Sequence, residues 1–396
     1  MGREQTDIVI AGGGIAGLCA ALGLGTSGFD VTLVTPEPAP DGTVRDQRST
    51  AYLQPAQELL LEIGLWPALA PLATPLQSLQ IIDSIGTPAV ERTRRLFDAA
   101  ELSGDPFGWN IPNTQMIAAL HAAIARAPNI TLRHGTGFAA MTPRDASGII
   151  RLTDGTSIEA KLLVGADGRG SHVREAAGIA VHTNRYGQKA LAFAVTHSAP
   201  HGNISTEIYN QGGPFTTVPL PDQDGKPASA IVWMNPGAEA QALAAMDAPA
   251  FNEAITARSC GVLGQMTLAS TRQLWPIISQ RAQALTAQRC ALVAEAAHVL
   301  PPIGAQGLNT SLADIAALIT AAAKYPNDPG TPQALAAYAR ARQGDIAARV
   351  AAIDLYNRVT ASGAPIAQTL RLAGLKAVHG LPFLRQQVMK AGLGSH

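Results

Sequence analysis

Two kinds of hydrophobic spacing alternate along the chain. Asp7-Ile-Val-Ile-Ala11 is a short unbroken apolar run, suited to a strand buried on both faces of a parallel sheet. Gly12–Gly17 follow, then an Ala/Leu-rich helical stretch to about Ser27, Gly28 as its stop, and a second apolar run, Val31–Val34. Strand, helix and strand in that order predict a βαβ unit. Residues 41–120 are mixed, with helical stretches from Pro55 to Leu65 and from about Thr114 to Ala127, Asn113 standing near the N-cap of the latter. Gly148 to Ile158 reads as a hairpin turning at Asp154-Gly155. It leads into Lys161-Leu-Leu-Val-Gly-Ala-Asp-Gly168, an apolar strand that ends in Asp-Gly and opens a helix. From about Ala190 to Ile278 the period becomes two. Ala190–His197, Ile204–Tyr209, Thr216–Leu220, Ala230–Met234 and Leu268–Trp275 read as strands, interrupted by one helical stretch, Glu239 to Ala257. That clustering predicts an antiparallel sheet as one wall of a second unit. The buried type of strand returns after Arg289 and ends at Glu295, followed by a Pro/Gly loop and a helix N-terminus. From Pro332 the chain is helical and Ala-rich, interrupted by Gly363 and Pro365.

Composition narrows the picture. At 396 residues, 47% hydrophobic and 15% charged, the chain can bury a large core and build two units. Lys plus Arg equals Asp plus Glu, at 29 each, which argues against nucleic acid as a partner. No apolar run reaches the roughly 18 residues of a membrane span. The first residues enter a strand at once, so no signal peptide and a cytoplasmic location are expected. Cys19, Cys260 and Cys290 form neither a disulfide framework nor a metal-ligand spacing. His197 and His201 have i, i+4 spacing, but Pro200 lies between them at a strand end, and they read as loop histidines rather than metal ligands.

The candidate chemistry lies at the loops after the apolar strands. In Gly12-Gly-Gly14-Ile15-Ala16-Gly17, Gly12 makes the tight turn, Gly14 lets a pyrophosphate approach the backbone, and Gly17 lets helix and strand pack closely. The pyrophosphate then sits on the helix N-terminus, where free N–H groups and the dipole favour anions. An acidic residue usually holds the ribose at the end of the second strand. Here Thr35 stands there, leaving either Thr35 or Glu37 for that contact. Asp167 serves either a cofactor together with backbone donors or an ordinary helix cap. Glu295 can grip a ribityl chain, and the helix after it can point N–H groups at a ring.

Taken in order, Gly12–Gly17, Asp167-Gly168, and Glu295 with Gly304–Asp314 resemble the class A flavoprotein aromatic hydroxylases, over most of the chain. Within that class, Ala-Glu-Ala-Ala-His-Val-Leu-Pro-Pro-Ile-Gly-Ala-Gln-Gly-Leu-Asn (294–309) is most similar to the bacterial ubiquinone-biosynthesis hydroxylases. Asp46-x-Arg48-x-x-Ala51 and Tyr338-x-x-x-Arg342-x-x-Asp345 fit the same family. The family pattern has Gly-Asp where this chain has Ala294-Glu295. The resemblance implies an α/β fold: a Rossmann-like FAD-binding domain of the para-hydroxybenzoate hydroxylase type, an inserted substrate domain on an antiparallel sheet, and C-terminal helices. Its expected divisions are 1–75, 105–180 and 279–345 for FAD, 76–104 and 181–278 for substrate, and 346–396 as a helical tail. By the same resemblance Glu295 holds the ribityl hydroxyls, and Pro302, Gly304, Ala305, Gly307, Leu308 and Asn309 lie along the isoalloxazine. Arg48 and Asn113 touch the flavin side of the cofactor, and Asp167 and Gly168 serve both FAD and NAD(P)H. His298 packs near the flavin, a structural role weighing above a catalytic one.

The implied activity is carried by the cofactor rather than by a side-chain dyad. NAD(P)H reduces FAD, O₂ adds at C4a, and the hydroperoxide hydroxylates a polyprenylated phenol on the way to ubiquinone. A soluble aromatic acid is the alternative substrate, and a non-catalytic FAD-binding subunit of a biosynthetic complex is the alternative class. From Leu355 to His396 there is no Asp or Glu, while Arg358, Arg371, Lys376, Arg385 and Lys390 alternate with apolar residues. Such a tail suits an anionic membrane surface, another ubiquinone-biosynthesis protein, or packing on its own domain.

Overall fold

The computed structural model describes residues 4–37, 48–102 and 104–361, with side chains through Asn357. Glu4–Ala11 lies at the centre of a parallel array, between Val31–Thr35 and Ser157–Gly165. Ile130–His134 and Cys290–Leu292 extend it on either side, also parallel. Ile8, Val9 and Ile10 are wholly buried, which is why that run is unbroken rather than alternating. All these strands point the same way, so Ala11, Thr35, Gly165 and Leu292 end on one edge of the sheet. Phe138–Pro143 and Gly148–Leu152 join antiparallel beside Ser157–Gly165. The hairpin turns at Asp154, whose Oδ1 accepts from the N–H and hydroxyl of Thr156 at 2.9 and 2.6 Å.

A nine-stranded sheet makes the second layer, antiparallel except where Ile204–Asn210 runs parallel to Ser78–Ile85. Its longest strand, Val181–His197, begins well before the predicted Ala190. Residues 183–189 carry mostly polar side chains with no period, and pairing to Gln273–Ala282 is what extends them. The hairpin Ser78–Ile85 and Val90–Asp98 falls in the stretch that reads as mixed; its outer strand, Val-Glu-Arg-Thr-Arg-Arg, has little apolar signal because it is an edge. Leu268–Trp275 resolves into two strands, Met266–Leu268 and Gln273–Ala282. The 239–257 helical stretch is two helices, Gly237–Ala245 and Ala248–Arg258. The second starts where Asp247 Oδ1 accepts the Ala250 N–H at 2.9 Å.

The two faces of this sheet differ. Leu191, Phe193, Val195, Ile208, Phe215, Ile231 and Trp233 pack with Phe251 and Ile255 of the helix Ala248–Arg258. The other face presents Ala190, Val232 and Met234 to Ile303 and Ile353. Ile303 belongs to the loop after Glu295, and Ile353 to the long helix Pro332–Ala361. A three-stranded sheet, Ser49–Leu53, Gly108–Pro112 and Thr74–Leu76, completes the scaffold. Gly363, Pro365 and nearly all of the basic tail lie outside the described residues.

Candidate active site

The Gly-rich turn sits where Glu4–Ala11 ends. Gly12 adopts φ +118°, and a Cβ there would lie 2.3 Å from the Ala166 carbonyl oxygen, so glycine is required twice over. A Cβ on Gly17 would stand 1.9 Å from the Gly12 carbonyl, which is the close packing of turn and helix. Gly14 differs: its Cβ position meets nothing within 4 Å. Gly14 is also the N-cap of the helix Ile15–Thr26, and no side chain caps that end. The first-turn N–H groups, those of Ile15, Ala16 and Gly17 among them, therefore face open space at the positive end of a dipole. A pyrophosphate fits this cradle.

At the end of the next strand, Thr35 is buried and donates its hydroxyl to the Glu37 carboxylate. The two residues left open for the ribose thus act as one unit, the threonine orienting the glutamate. Asp46 lies outside the described residues. Arg48 places its guanidinium over the Trp275 ring, 4.8 Å from the centroid, and its carbonyl accepts the Asn113 N–H at 2.9 Å. Asn113 is the first residue of the helix Asn113–Ile124 rather than its cap, which is Pro112. Its Oδ1 instead accepts the Thr50 hydroxyl at 2.8 Å.

Asp167-Gly168 abuts the turn, since the Cβ position of Gly12 lies 2.9 Å from the Asp167 nitrogen. The Asp167 carboxylate accepts the Ser171 hydroxyl at 2.5 Å and the Val173 N–H at 3.0 Å, closing the short helix that follows. Arg174, which the sequence reading passed over, is buried and donates to the carbonyls of Arg169 and Ala296. One guanidinium thereby fastens the Asp-Gly loop to the Glu295 segment.

Glu295 is exposed on a short 3-10 turn, Ala294–Ala296. Ala294 has φ +56°, the left-handed conformation that explains the glycine of the family pattern. Ala294→Gly is expected to stabilise the protein by about 0.5–1 kcal/mol, relief of strain outweighing the added freedom of the unfolded chain. Thermal unfolding of the two proteins checks it; an unchanged or lower Tm sinks the strain argument.

His298 is buried, and its Nε2 lies 2.6 Å from Asp314 Oδ2. Asp314, wholly buried, also accepts from Arg342 Nε at 2.8 Å and from the Ala294 N–H at 3.1 Å. Arg342 continues to Asp345 at 2.7 Å, and Asp345 to Arg349 at 2.9 Å. Tyr338 donates to the Leu292 carbonyl at 2.7 Å. The motif Tyr338, Arg342, Asp345 is therefore a clasp between the long helix and the strand that leads to Glu295.

The loop Pro302–Ala305 ends in a helix, Gln306–Ala323, which starts one residue earlier than Gly307. Its N-cap, Ala305, is left-handed and no side chain caps it. Gly304, Gly307 and Leu308 stand at this end. Asn309 uses its side chain elsewhere: Oδ1 accepts the Leu53 N–H and Nδ2 donates to the Ala51 carbonyl, both at 2.8 Å. It clamps the Arg48–Ala51 segment to the helix, so any ring contact from Asn309 falls to its backbone. Among the described residues, no cluster of His, Cys, Asp or Glu is arranged to hold a metal ion.

An uncapped helix end at an open glycine, with a carboxylate on the neighbouring strand end, suits the pyrophosphate and ribose of a dinucleotide. Residues 5–352 match the model of the FAD-binding-domain family, and the chain belongs to that family, within its branch of ubiquinone-biosynthesis hydroxylases. It is 32% identical to the ubiquinone hydroxylase UbiL of Rhodospirillum rubrum, covering 99% of this chain and 90% of that one. It is 30% identical to the 3-demethoxyubiquinol 3-hydroxylase of Escherichia coli, covering all of both chains. The fold is also that of the p-nitrophenol 4-monooxygenase of Pseudomonas putida, with a TM-score of 0.82 over the whole of both chains at 17% identity. The protein is an FAD-dependent monooxygenase of the aromatic hydroxylase class.

Proposed function

We propose that the protein hydroxylates the aromatic ring of a polyprenylated phenol in ubiquinone biosynthesis, with FAD as cofactor, NAD(P)H as electron donor and O₂ as co-substrate. The observation that carries the reading is full-length similarity to two relatives named for hydroxylating ubiquinone or demethoxyubiquinol. When bound, the flavin takes a hydride from NAD(P)H and activates O₂. The chain's own work is to bind, orient and exclude water. The helix end at Gly14 to Gly17 takes the pyrophosphate, and Glu37, steered by Thr35, takes a ribose hydroxyl. Glu295 takes the ribityl hydroxyls. Pro302, Gly304, Ala305, Gly307 and Leu308 line the ring, the uncapped end after Ala305 stabilising negative charge on it. Arg48 and Gly168 border the ring side and the donor side. His298, held by Asp314, sets the shape of the loop.

In this reading residues 1–75, 105–180 and 279–345 bind FAD, while 76–104 and 181–278 form the substrate wall. Among the described residues no helix is long and apolar enough to cross a membrane. A lipid-borne phenol calls for contact at the membrane surface, and the basic tail is the segment suited to it.

The purified protein is expected to show flavin absorbance bands that bleach under anaerobic NAD(P)H, faster when a prenylated phenol is present. A colourless protein that cannot be reconstituted with FAD sinks the proposal. Glu295→Ala is expected to weaken FAD roughly 10- to 100-fold by removing charge-assisted hydrogen bonds of about 1.5–3 kcal/mol. Flavin fluorescence titration of the apoprotein measures it, and an unchanged Kd would move the ribityl contact elsewhere.

A further inference from the structure

The sheet face that meets the ring-side loop carries a carboxyl group with no part in the binding just described. Strand register sets its surroundings. One row across the face runs Ala192, Val232, Thr216, Glu207. The adjacent row begins with Trp275, Ala190 and Met234 and ends with Pro214 and Tyr209. Ile303 of the loop packs on Ala190 and Met234, so loop and sheet enclose this surface between them.

Glu207 is only 8% exposed; it accepts the Tyr209 hydroxyl, and the Gly304 backbone N–H lies beside its carboxyl group. Tyr209, equally buried, meets the Tyr356 hydroxyl at 2.5 Å, and Tyr356 is 39% exposed. A buried carboxyl thus touches the ring-side loop at one end and connects through two phenols to the surface at the other. Burial pushes the Glu207 carboxyl up, and its bonds to Tyr209 and Gly304 work against that shift. A carboxylate offers about four acceptor positions, more than these neighbours fill.

Among the described residues, charged groups of the neighbouring elements have partners of their own. Asp83, the register partner of Tyr209 on the next strand, is paired with Arg92. On the packed helix, Asp354 accepts from Tyr186 at 2.5 Å. Arg48 stands over Trp275, at the opposite end of the row from Tyr209. An aromatic carboxylate placed against Glu207 would lose its water beside a like charge, with no guanidinium paired to Glu207 among the described residues to receive it. A neutral phenol instead donates one hydrogen bond to a waiting acceptor.

We propose that Glu207 accepts the ring hydroxyl of a neutral phenol bound against the Pro302–Ala305 loop, and that it bars aromatic carboxylates from that place. The assignment rests on the hydroxylase reading above and supplies its substrate selectivity. Glu207 is then the specificity-determining residue, and Tyr209 positions its carboxylate.

The test uses the FAD-loaded enzyme and two probes of matched shape, 4-hydroxybenzamide and 4-hydroxybenzoate, titrated by perturbation of the flavin spectrum and by stimulation of NAD(P)H oxidation. The amide is expected to bind at least about tenfold more tightly than the acid. Glu207→Gln should bring the ratio close to one and weaken the amide about tenfold, and Glu207→Asp should recover part of the selectivity. Equal binding of the two probes by the unaltered enzyme, or an unchanged ratio in a flavin-replete Glu207→Gln, overturns the assignment. Should that variant lose its flavin, the ratio in the unaltered enzyme decides alone. If a prenylated phenol stimulates NAD(P)H oxidation while the ratio is flat, only the role of Glu207 falls. If no phenol stimulates it, the hydroxylase reading falls and takes this one with it.

Discussion

Gly14→Val is expected to yield a folded protein that has lost its flavin. The backbone at Gly14, φ −73° and ψ 175°, is extended and suits a β-branched residue. Among the described residues, chain neighbours aside, nothing lies within 4 Å of the new Cβ, so little steric cost is expected in the apoprotein. The added side chain instead occupies the space over the helix end that the pyrophosphate needs. Losing two or three charge-assisted hydrogen bonds of about 1.5–3 kcal/mol each weakens FAD at least about a hundredfold. Gly12→Ala and Gly17→Ala are the contrast, because their Cβ atoms strike backbone carbonyl oxygens at 2.3 and 1.9 Å and damage the fold itself. Circular dichroism with flavin absorbance separates the two kinds of failure. A purified Gly14→Val that retains stoichiometric flavin would refute the placement of the pyrophosphate.

Asp314→Ala is the substitution with the largest expected loss of stability. The wholly buried carboxylate accepts from His298, Arg342 and the Ala294 N–H, and its removal leaves the buried Arg342 Nε and a backbone donor without their acceptor together. Breaking a buried pair in this way costs about 3–5 kcal/mol, a large share of the roughly 5–15 kcal/mol by which proteins are stable. Arg349→Ala, which removes a partly exposed partner of Asp345, is expected to cost under about 1 kcal/mol. Denaturant unfolding of both variants tests the ranking, and comparable losses would mean that Asp314 is not the hub of the clasp. Because Asp314 holds both His298 and the Ala294 turn, Asp314→Ala is also expected to lower flavin occupancy through the Glu295 segment.

The contrast between Gly14 and Asp314 shows how far the sequence reaches. The βαβ unit, the tight turn at Gly12, the close packing at Gly17, and the return of a buried strand before Glu295 are all legible along the chain. Each depends on local period, on turn chemistry, or on a spacing that one strand-to-helix junction imposes. The antiparallel sheet was legible as a cluster of alternating strands, while its polar beginning at 183–189 and its edge hairpin were not. There pairing, rather than an apolar face, holds the backbone extended.

The site divides in the same way. The sequence by itself determined that anion-binding helix ends and two carboxylates, Asp167 and Glu295, stand at strand ends. Only the tertiary structure decided what the side chains do there. It turned Asp167 onto the Ser171 hydroxyl and the Val173 N–H, turned Asn309 onto the backbone of Ala51 and Leu53, joined Thr35 to Glu37, and set Glu207 against Gly304. Alternation along a strand says that two faces differ; it does not say which face meets the cofactor loop. That choice, like the partner of any buried carboxylate, is made by sheet register and helix docking between residues far apart in sequence.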